Sequence, residues 1–519
     1  MCVYDLFPSL RSHLKNKLPT TDLPSFGKTN AGSMFSTQPI ARSLFPRRAA
    51  WAVGACVGLT GAALATTETG RGARRFMFTV YTASYIMADY KVNRGDRENR
   101  GELHKRSAGR LLELCREYGG VFVKAGQYVG TMNHILPKEY TKTLSQLQDC
   151  APSRPWEAIK GVVEKEYNDS ISSIFEVFSE TPVAAASLAQ VHYARTNARY
   201  GSREVAVKIQ YPGLAKQVEG DLWTMKVISS IVGTLFPDYQ YGWLLPEFEK
   251  VAEEELDFLN EARNGQRTKA MLAKHKDVYV PEVHLDISTK RVLAMEWING
   301  VRVSNVDVIE GELGFSSRNV AKTLFKIFGE MIYVHGFVHC DPHPGNLMVR
   351  PDPKYPKSRY QVVVLDHGMY RELSEPFRVA YCNLWKALVT NDADLGRRSV
   401  EEMKMPPEYY DFLSLLLTFR PSTSTTKLGE RMSKTERRRI RKQFKGTTVK
   451  DVNTFMENLP RDLLFVLRST DILRSLNKDM GGKARDRFIA MSDSAMEGLG
   501  VSSVTVFMWF LRRCFSWMF

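Results

Sequence analysis

Hydrophobic and polar positions change period several times along this 519-residue chain, and each change marks a different kind of element. From Glu102 onward Leu111, Leu112, Cys115 and Tyr118 recur at helical spacing. The pattern runs into Gly119-Gly120-Val121-Phe122-Val123-Lys124-Ala125-Gly126-Gln127, where Lys124 and Gln127 are three apart and share a helix face. Glu204 to Lys208 reads as a strand, as does Arg291 to Ala294. The acidic run Glu253 to Ala262 reads as a helix on which Asp257 and Glu261 share a face and Glu255 is rotated away. Leu347–Val349 and Gln361–Leu365 are short β-branched runs around a Pro- and Lys-rich turn, the pattern of a hairpin. Helical periods return after Glu375.

The N-terminal hundred residues follow another rule. Up to Thr67 the acids are Asp5 and Asp22 alone, while Arg and Lys recur among Ser, Thr and Pro, the signature of an organelle transit peptide over residues 1–48. Met34 to Arg48 would make such a leader by itself. Ala49–Ala65 is small and apolar, just short of a bilayer span, and predicts a membrane-associating segment within 49–99. Phe76 to Met87 is a shorter apolar stretch. The alternative for Ala49–Ala65 is a helix packed on the globular core.

Charge narrows the partners. A net charge of +15 favours nucleic acid, anionic lipid or phosphorylated ligands, and no nucleic-acid module is present, so lipid and nucleotide carry that weight. Seven scattered cysteines without a CxxC argue against a disulfide framework or a structural zinc site. The basic run from Arg437 to Lys445 is a solvated face or a site for anionic headgroups, and the aromatic tail from Val504 is a packed end helix or an interfacial anchor.

The chemistry lies around residue 340. Val338-His339-Cys340-Asp341-Pro342-His343-Pro344-Gly345-Asn346 is followed by Asp366-His367-Gly368. A protein-kinase catalytic loop has a base Asp, a metal-ligand Asn five residues on, and a second metal-binding Asp after a hairpin, ahead of a Gly. Asp341, Asn346 and Asp366 match that spacing, with Asn346 and Asp366 holding Mg²⁺ and Asp341 accepting a proton. Lys208 ends its strand as the phosphate-contacting Lys of kinases does, and Asp257 or Glu261 should hold it. Upstream, Ala185, Ala186 and Ser187 occupy the place of a Gly-rich loop, where methyl groups make positive φ costly. Glu296 and Ile298 fall where an adenine-contacting hinge belongs. Beyond Asp366 there is no Ala-Pro-Glu element of a peptide-substrate platform. Two rival readings remain: a metal-dependent hydrolase built from His339, Asp341, His343 and His367, and a nucleotide-gated scaffold that binds ATP without transferring phosphate.

Taken together, Lys124-Ala125-Gly126-Gln127, the Ala-rich Ala185 to His192, Glu255-Leu256-Asp257, His339 to Asn346 and Asp366-His367-Gly368 resemble the aarF/UbiB atypical kinase family, its mitochondrial aarF-domain-containing kinases in particular. The resemblance spans roughly Arg100 to Val400. It implies an α+β, bilobal protein-kinase-like fold with an N-terminal helical extension (100–180) folded over the active site. An N-lobe (181–298), a C-lobe (299–400) and a helical C-terminal extension (401–519) would follow. It further implies that Lys124 and Gln127 gate the cleft with Glu255 and Asp257, and that Glu261 pairs with Lys208. ATP and Mg²⁺ are the implied cofactors. A lipid or small-molecule acceptor is the implied partner, and the mitochondrial inner membrane, in lipid or ubiquinone homeostasis, the implied setting.

Overall fold

The computed structural model describes residues 67–501 apart from 94–98, 133–135, 149–152, 237–241, 243, 419, 423–437, 439–453 and 456. The expected leader, the apolar segment Ala49–Ala65, the aromatic tail and all of the basic run but Arg438 lie outside these residues. Four helices come first: α1 (Glu68–Val92), α2 (Arg100–Tyr118), α3 (Gly120–Gly130) and α4 (Lys138–Leu144), followed by α5 (Trp156–Tyr167). The apolar stretch Phe76 to Met87 lies within α1, which Arg75 ties down by donating to Asp221 at 2.9 Å and to the Tyr118 carbonyl at 2.9 Å. Among the described residues no helix is long and apolar enough to cross a membrane.

Strands β1 (Phe175–Phe178), β2 (Ala184–Ala185), β3 (Ala189–Thr196) and β4 (Glu204–Gln210) follow. Three helices come next, α6 (Leu214–Leu235), α7 (Leu244–Glu254) and α8 (Phe258–Met271), and then β5 (Val278–Tyr279) and β6 (Val292–Glu296). An antiparallel sheet of order β1-β3-β4-β6, with β2 beside β3, forms the N-lobe. β1 falls inside 100–180, the stretch expected to be helical, and pairs with β3. The period-2 pattern of β4 decides what faces where: Val205, Val207 and Ile209 are buried against Ile159 and Val163 of α5, so Lys208 points to the opposite, cleft face.

The C-lobe begins with β7 (Val301–Arg302), α9 (Val306–Gly311), α10 (Ser317–Tyr333) and β8 (Phe337–His339). The hairpin β9 (Leu347–Pro351) and β10 (Tyr360–Val364), β11 (Tyr370–Glu372), α11 (Glu375–Thr390), α12 (Ala393–Glu402) and α13 (Tyr409–Thr418) come after. Helices α14 (Arg461–Asp479) and α15 (Ala484–Gly498) complete the described chain. The hairpin register pairs Val364 with Leu347, and the Leu365 amide donates to the Asn346 carbonyl at 2.9 Å, so Asn346 and Asp366 flank one strand end. Helix α10 is nearly all buried. Leu324, Phe328 and Ile332 on it meet Trp385 of α11, Leu473 of α14 and Met491 of α15 in one core. Each such side chain contributes about 1.5–3 kcal/mol by leaving water, which binds the C-terminal helices to the lobe that carries the catalytic loop. The fold is mixed α+β, with helical segments at both ends.

Candidate active site

Lys208 stands at the centre of the cleft. Its ammonium donates to both Glu261 oxygens at 2.7 and 2.8 Å and to Asp366 Oδ2 at 2.9 Å. Burial opposes its charge, yet Asp366 and Glu261 together raise its pKa. Glu261, 4% exposed on the first turn of α8, is lifted by burial to about 7 in spite of Lys208, with Asp366 adding to the rise. Against burial, Lys208 and the Gly368 amide, which donates to Oδ1 at 3.0 Å, hold the Asp366 carboxyl well below the usual carboxylate range.

The expected acidic helix is not one helix. It breaks at Glu255–Asp257 between α7 and α8. Gln210 of β4 donates to the Leu256 carbonyl at 2.7 Å and the Phe258 amide to the Lys290 carbonyl at 3.1 Å, which draws the backbone out of the helical course. Asp257 becomes the N-cap of α8, accepting from the Leu259 amide at 3.0 Å, and its other neighbour is Arg263 at 3.8 Å. Among the described residues Asp257 therefore meets neither lysine of the cleft. Glu255 does: its Oε1 lies 2.5 Å from Lys124 Nζ.

Lys124 reaches the cleft because α3 lies close on its neighbours. A Cβ on Gly126 would sit 2.3 Å from Leu147 Cδ1 and 3.0 Å from Cys115 Sγ, so only glycine permits the approach. Gln127 does not enter the cleft network; its amide donates to the Leu147 carbonyl at 2.9 Å and holds the helix to the turn behind it. The Lys124 ammonium also lies 3.8 Å from Asp341 Oδ2. Burial disfavours its charge, but Glu255 and Asp341 outweigh that and raise its pKa.

A residue that the sequence reading missed completes the ring around Asp341. Arg468, on α14, places Nη2 3.3 Å from Asp341 Oδ1, and its guanidinium lies 4.8 Å from the centre of the Tyr128 ring on α3. Against burial, Arg468 first and Lys124 second hold the Asp341 carboxyl down. The available signal was the position of Arg468 directly after the apolar run Leu463 to Leu467, where a cation on a buried face needs a partner.

The catalytic loop is fixed through backbone contacts. His339 Nδ1 accepts from the Asp341 amide at 3.0 Å and its Nε2 donates to the Asp366 carbonyl at 2.9 Å, joining the two aspartates' backbones through one neutral imidazole. Asn346 Nδ2 donates to the Asp341 carbonyl at 3.4 Å. His367 lies between Tyr370 Oη and the Val364 carbonyl, and burial pushes it down to about 3. His343 Nδ1 accepts from the Gly345 amide at 3.2 Å. These imidazoles serve the loop, and among the described residues no group of three or more His, Cys, Asp or Glu converges as a metal centre.

The Ala-rich loop takes a form its composition did not announce. Ala184–Ala185 is strand β2, paired with β3, and no residue from Ala184 to Ala189 has positive φ. The Ala186 amide donates to the Ala189 carbonyl at 2.8 Å, and Tyr211 Oη donates to the Ala186 carbonyl at 3.1 Å, so the tip closes on itself. Ser187 is buried. At the hinge the Glu296 carboxylate accepts from Tyr279 Oη at 2.5 Å and lies 3.9 Å from Arg350, while Ile298 is buried between the lobes' strands β6 and β7.

The ABC1 atypical kinase-like domain matches residues 146–399 of this chain. The mouse AarF domain-containing protein kinase 1 is 36% identical over 439 residues, covering 82% of both chains. The chain belongs to the ABC1/aarF atypical kinase family. It is also 38% identical to the Dictyostelium discoideum protein named probable serine/threonine-protein kinase abkD, over 83% of this chain and 62% of that one, so it spans less than two thirds of that relative's length. Among solved structures it is similar to one titled the complex structure of Rv3197-erythromycin from Mycobacterium tuberculosis, with TM-score 0.47 and 22% identity over 76% of this chain and 97% of that chain. Lys124 and Arg468 both lie outside the matched ABC1 residues, one on each side.

The donor set of the ABC1 cleft fits a magnesium nucleotide. Glu255, Glu261, Asp341 and Asp366 face Lys124, Lys208 and Arg468, which leaves one negative charge uncompensated. A hard cation on Asp366 and Asn346 would neutralise it with oxygen ligands.

Proposed function

We propose that this ABC1-family chain is an Mg-ATP-dependent atypical kinase or ATPase that acts on a lipid or other small molecule in mitochondrial lipid or ubiquinone homeostasis. The contact of Lys208 with both Glu261 and Asp366 carries this reading, because it joins the phosphate-orienting Lys, its helix partner and the metal-binding Asp in one cluster. Asn346 and Asp366 would hold the metal and Lys208 would orient phosphates, with the Glu296–Ile298 segment against the base. Bound Mg-ATP would supply a transferable phosphoryl group whose charge the metal neutralises. Asp341 would take the proton from the acceptor hydroxyl or a water. A small acceptor suits the cleft better than a protein, since Lys124 and Arg468 close on Asp341 and no Ala-Pro-Glu platform follows Asp366.

Mitochondrial membrane association rests on the acid-poor leader and on the exposed side chains of Met77 and Tyr81 on α1 and of Trp223 on α6. Deleting residues 1–48 should leave the protein outside the organelle, and import of the deleted form would remove this part of the reading.

One observation favours a second reading, a nucleotide-gated scaffold without turnover: both oxygens of Asp341 face cations rather than an acceptor. ATP turnover measured with and without membranes separates the two. The enzyme reading expects turnover that Asp341→Asn abolishes while nucleotide binding persists; binding with no turnover under any condition leaves the scaffold.

A further inference from the structure

Beside the catalytic loop, and apart from the Lys208 cluster, lies a cavity of about 1520 Å³. Its walls come from both extensions: α3, α4 and the turn after it on one side, α14, the Gly481-Gly482 turn and the start of α15 on the other, with His343 and Pro344 of the catalytic loop between them. Cations face it from each side. Lys105, Lys138 and Lys142 stand on the N-terminal wall and Arg474, Lys478 and Arg487 on the C-terminal wall, against three carboxylates, Asp471 among them. Most of the lining residues carry polar groups, while their carbon stems, with Pro344, Ile472 and Leu476, form much of the wall surface.

Arg487 distinguishes this cavity from a generic basic crevice. It lies on the first turn of α15 and is 8% exposed. Its guanidinium rests 4.6 Å over the Phe488 ring, and it has neither an ion pair nor a hydrogen-bond acceptor for that guanidinium among the described residues. Its charged neighbours are Arg474 and Asp471, and Arg474 already takes up that carboxylate at 3.0 Å while capping the last carbonyls of α13. Burial, with Arg474 adding to it, pushes Arg487 down to about 9. A buried guanidinium without an anion is a costly arrangement unless a ligand completes it. The backbone supports the same charge. The N-terminus of α15 has no side-chain cap from Lys483, and Ala484, Gly481 and Gly482 line the cavity there. Asp486, the acid of that first turn, is turned away to Arg318 at 2.6 Å.

We propose that this cavity binds a small phosphate-bearing organic anion, with its phosphate on the Arg487 guanidinium at the start of α15. Arginine suits phosphate through paired N–H donors, and the hydroxyl, amide and charged groups on the wall can hydrogen-bond a small hydrophilic remainder. The ligand would lie against His343 and Pro344, on the outer side of the loop that carries Asp341. The site does not depend on the nucleotide reading, since none of Lys208, Glu261 and Asp366 lines it.

The test uses the full chain with Mg-ADP present and glycerol 3-phosphate as the probe, glycerol as the uncharged control, and calorimetry as the readout. Binding of glycerol 3-phosphate but not glycerol is expected. Arg487→Met should weaken it by about tenfold or more, Arg487→Lys by less, and Lys478→Glu, on the exposed rim, should weaken it without touching the buried site. ADP affinity, measured separately, should be the same in all variants. A second arm floats the protein on phosphatidylcholine vesicles with and without phosphatidic acid. Flotation that needs phosphatidic acid and Arg487 assigns the phosphate to a lipid headgroup, and calorimetric binding without it assigns a soluble ligand. Should Arg487→Met fail to fold, Arg487→Lys and Lys478→Glu carry the test. No binding in either arm, or equal binding by wild type and the Arg487 variants, overturns the proposal. An Arg487→Met variant that melts lower yet binds the probe unchanged would assign Arg487 a structural role only.

Discussion

Single residues decide how the cleft is held. Lys124 and Glu255 form a pair with about a tenth of each side chain exposed, and removing one partner strands the other's charge at a cost of about 3 to 5 kcal/mol. A double-mutant cycle on thermal stability should therefore couple Lys124 strongly to Glu255 and not at all to Asp257; coupling to Asp257 would contradict the break between α7 and α8. The family resemblance left both acids open as partners of Lys124, and the reason is local. Nothing between Glu253 and Ala262 is a Gly or Pro, so only the capping character of Asp257 hinted at a new helix. Glu261 gives a pH signature. Its folded pKa of about 7 exceeds the ordinary 4.5, so the native state keeps a proton that the unfolded chain has lost between those values. Stability should fall as pH rises through that window. Urea midpoints at pH 5 and pH 7 should differ in that direction for the wild type and converge in Glu261→Gln; an unchanged difference would assign the slope elsewhere.

At the scale of elements, the strand carrying Lys208, the hairpin between Asn346 and Asp366 and the helix carrying Lys124 were all legible, because each rests on a local period. What could not be read were tertiary meetings: Arg468 lies 127 residues beyond Asp341, and no local pattern announces that α14 returns to the catalytic loop. The Ala-rich loop shows how an element can avoid the strain its composition suggests. By pairing as β2 and closing Ala186 on Ala189, it needs no positive φ and keeps that amide from phosphate. Ala185→Gly should loosen the strand at a cost of about 0.5–1 kcal/mol and shift nucleotide preference or autophosphorylation. Identical nucleotide selectivity in the variant would show that the alanines do not shape the phosphate pose. Helix α14 offers a complementary test: Arg468→Gln should release Asp341 and raise ATP turnover by about tenfold, and unchanged or lower turnover would make Arg468 a positioning residue instead.

For the molecule as a whole, two helical extensions from opposite ends of the chain converge on one catalytic loop. α3 brings Lys124 and Tyr128, α14 brings Arg468, and the Tyr128–Arg468 contact ties the extensions together over Asp341. The ABC1-matched core supplies Lys208, Glu261 and Asp366 beneath them, and a magnesium ion on Asp366 would place a nucleotide's phosphates there. That claim is central, and Asp366 tests it most directly. Asp366 gives one oxygen to Lys208 and the other to the Gly368 amide, so Asp366→Asn leaves the local backbone in place and removes the charge. The decisive measurement is ATP affinity of wild type and Asp366→Asn with Mg²⁺ and with EDTA, with a melting curve to verify folding. The account predicts Mg²⁺-dependent binding in the wild type and none in the folded variant, whereas equal Mg²⁺-dependent affinity in both would contradict it.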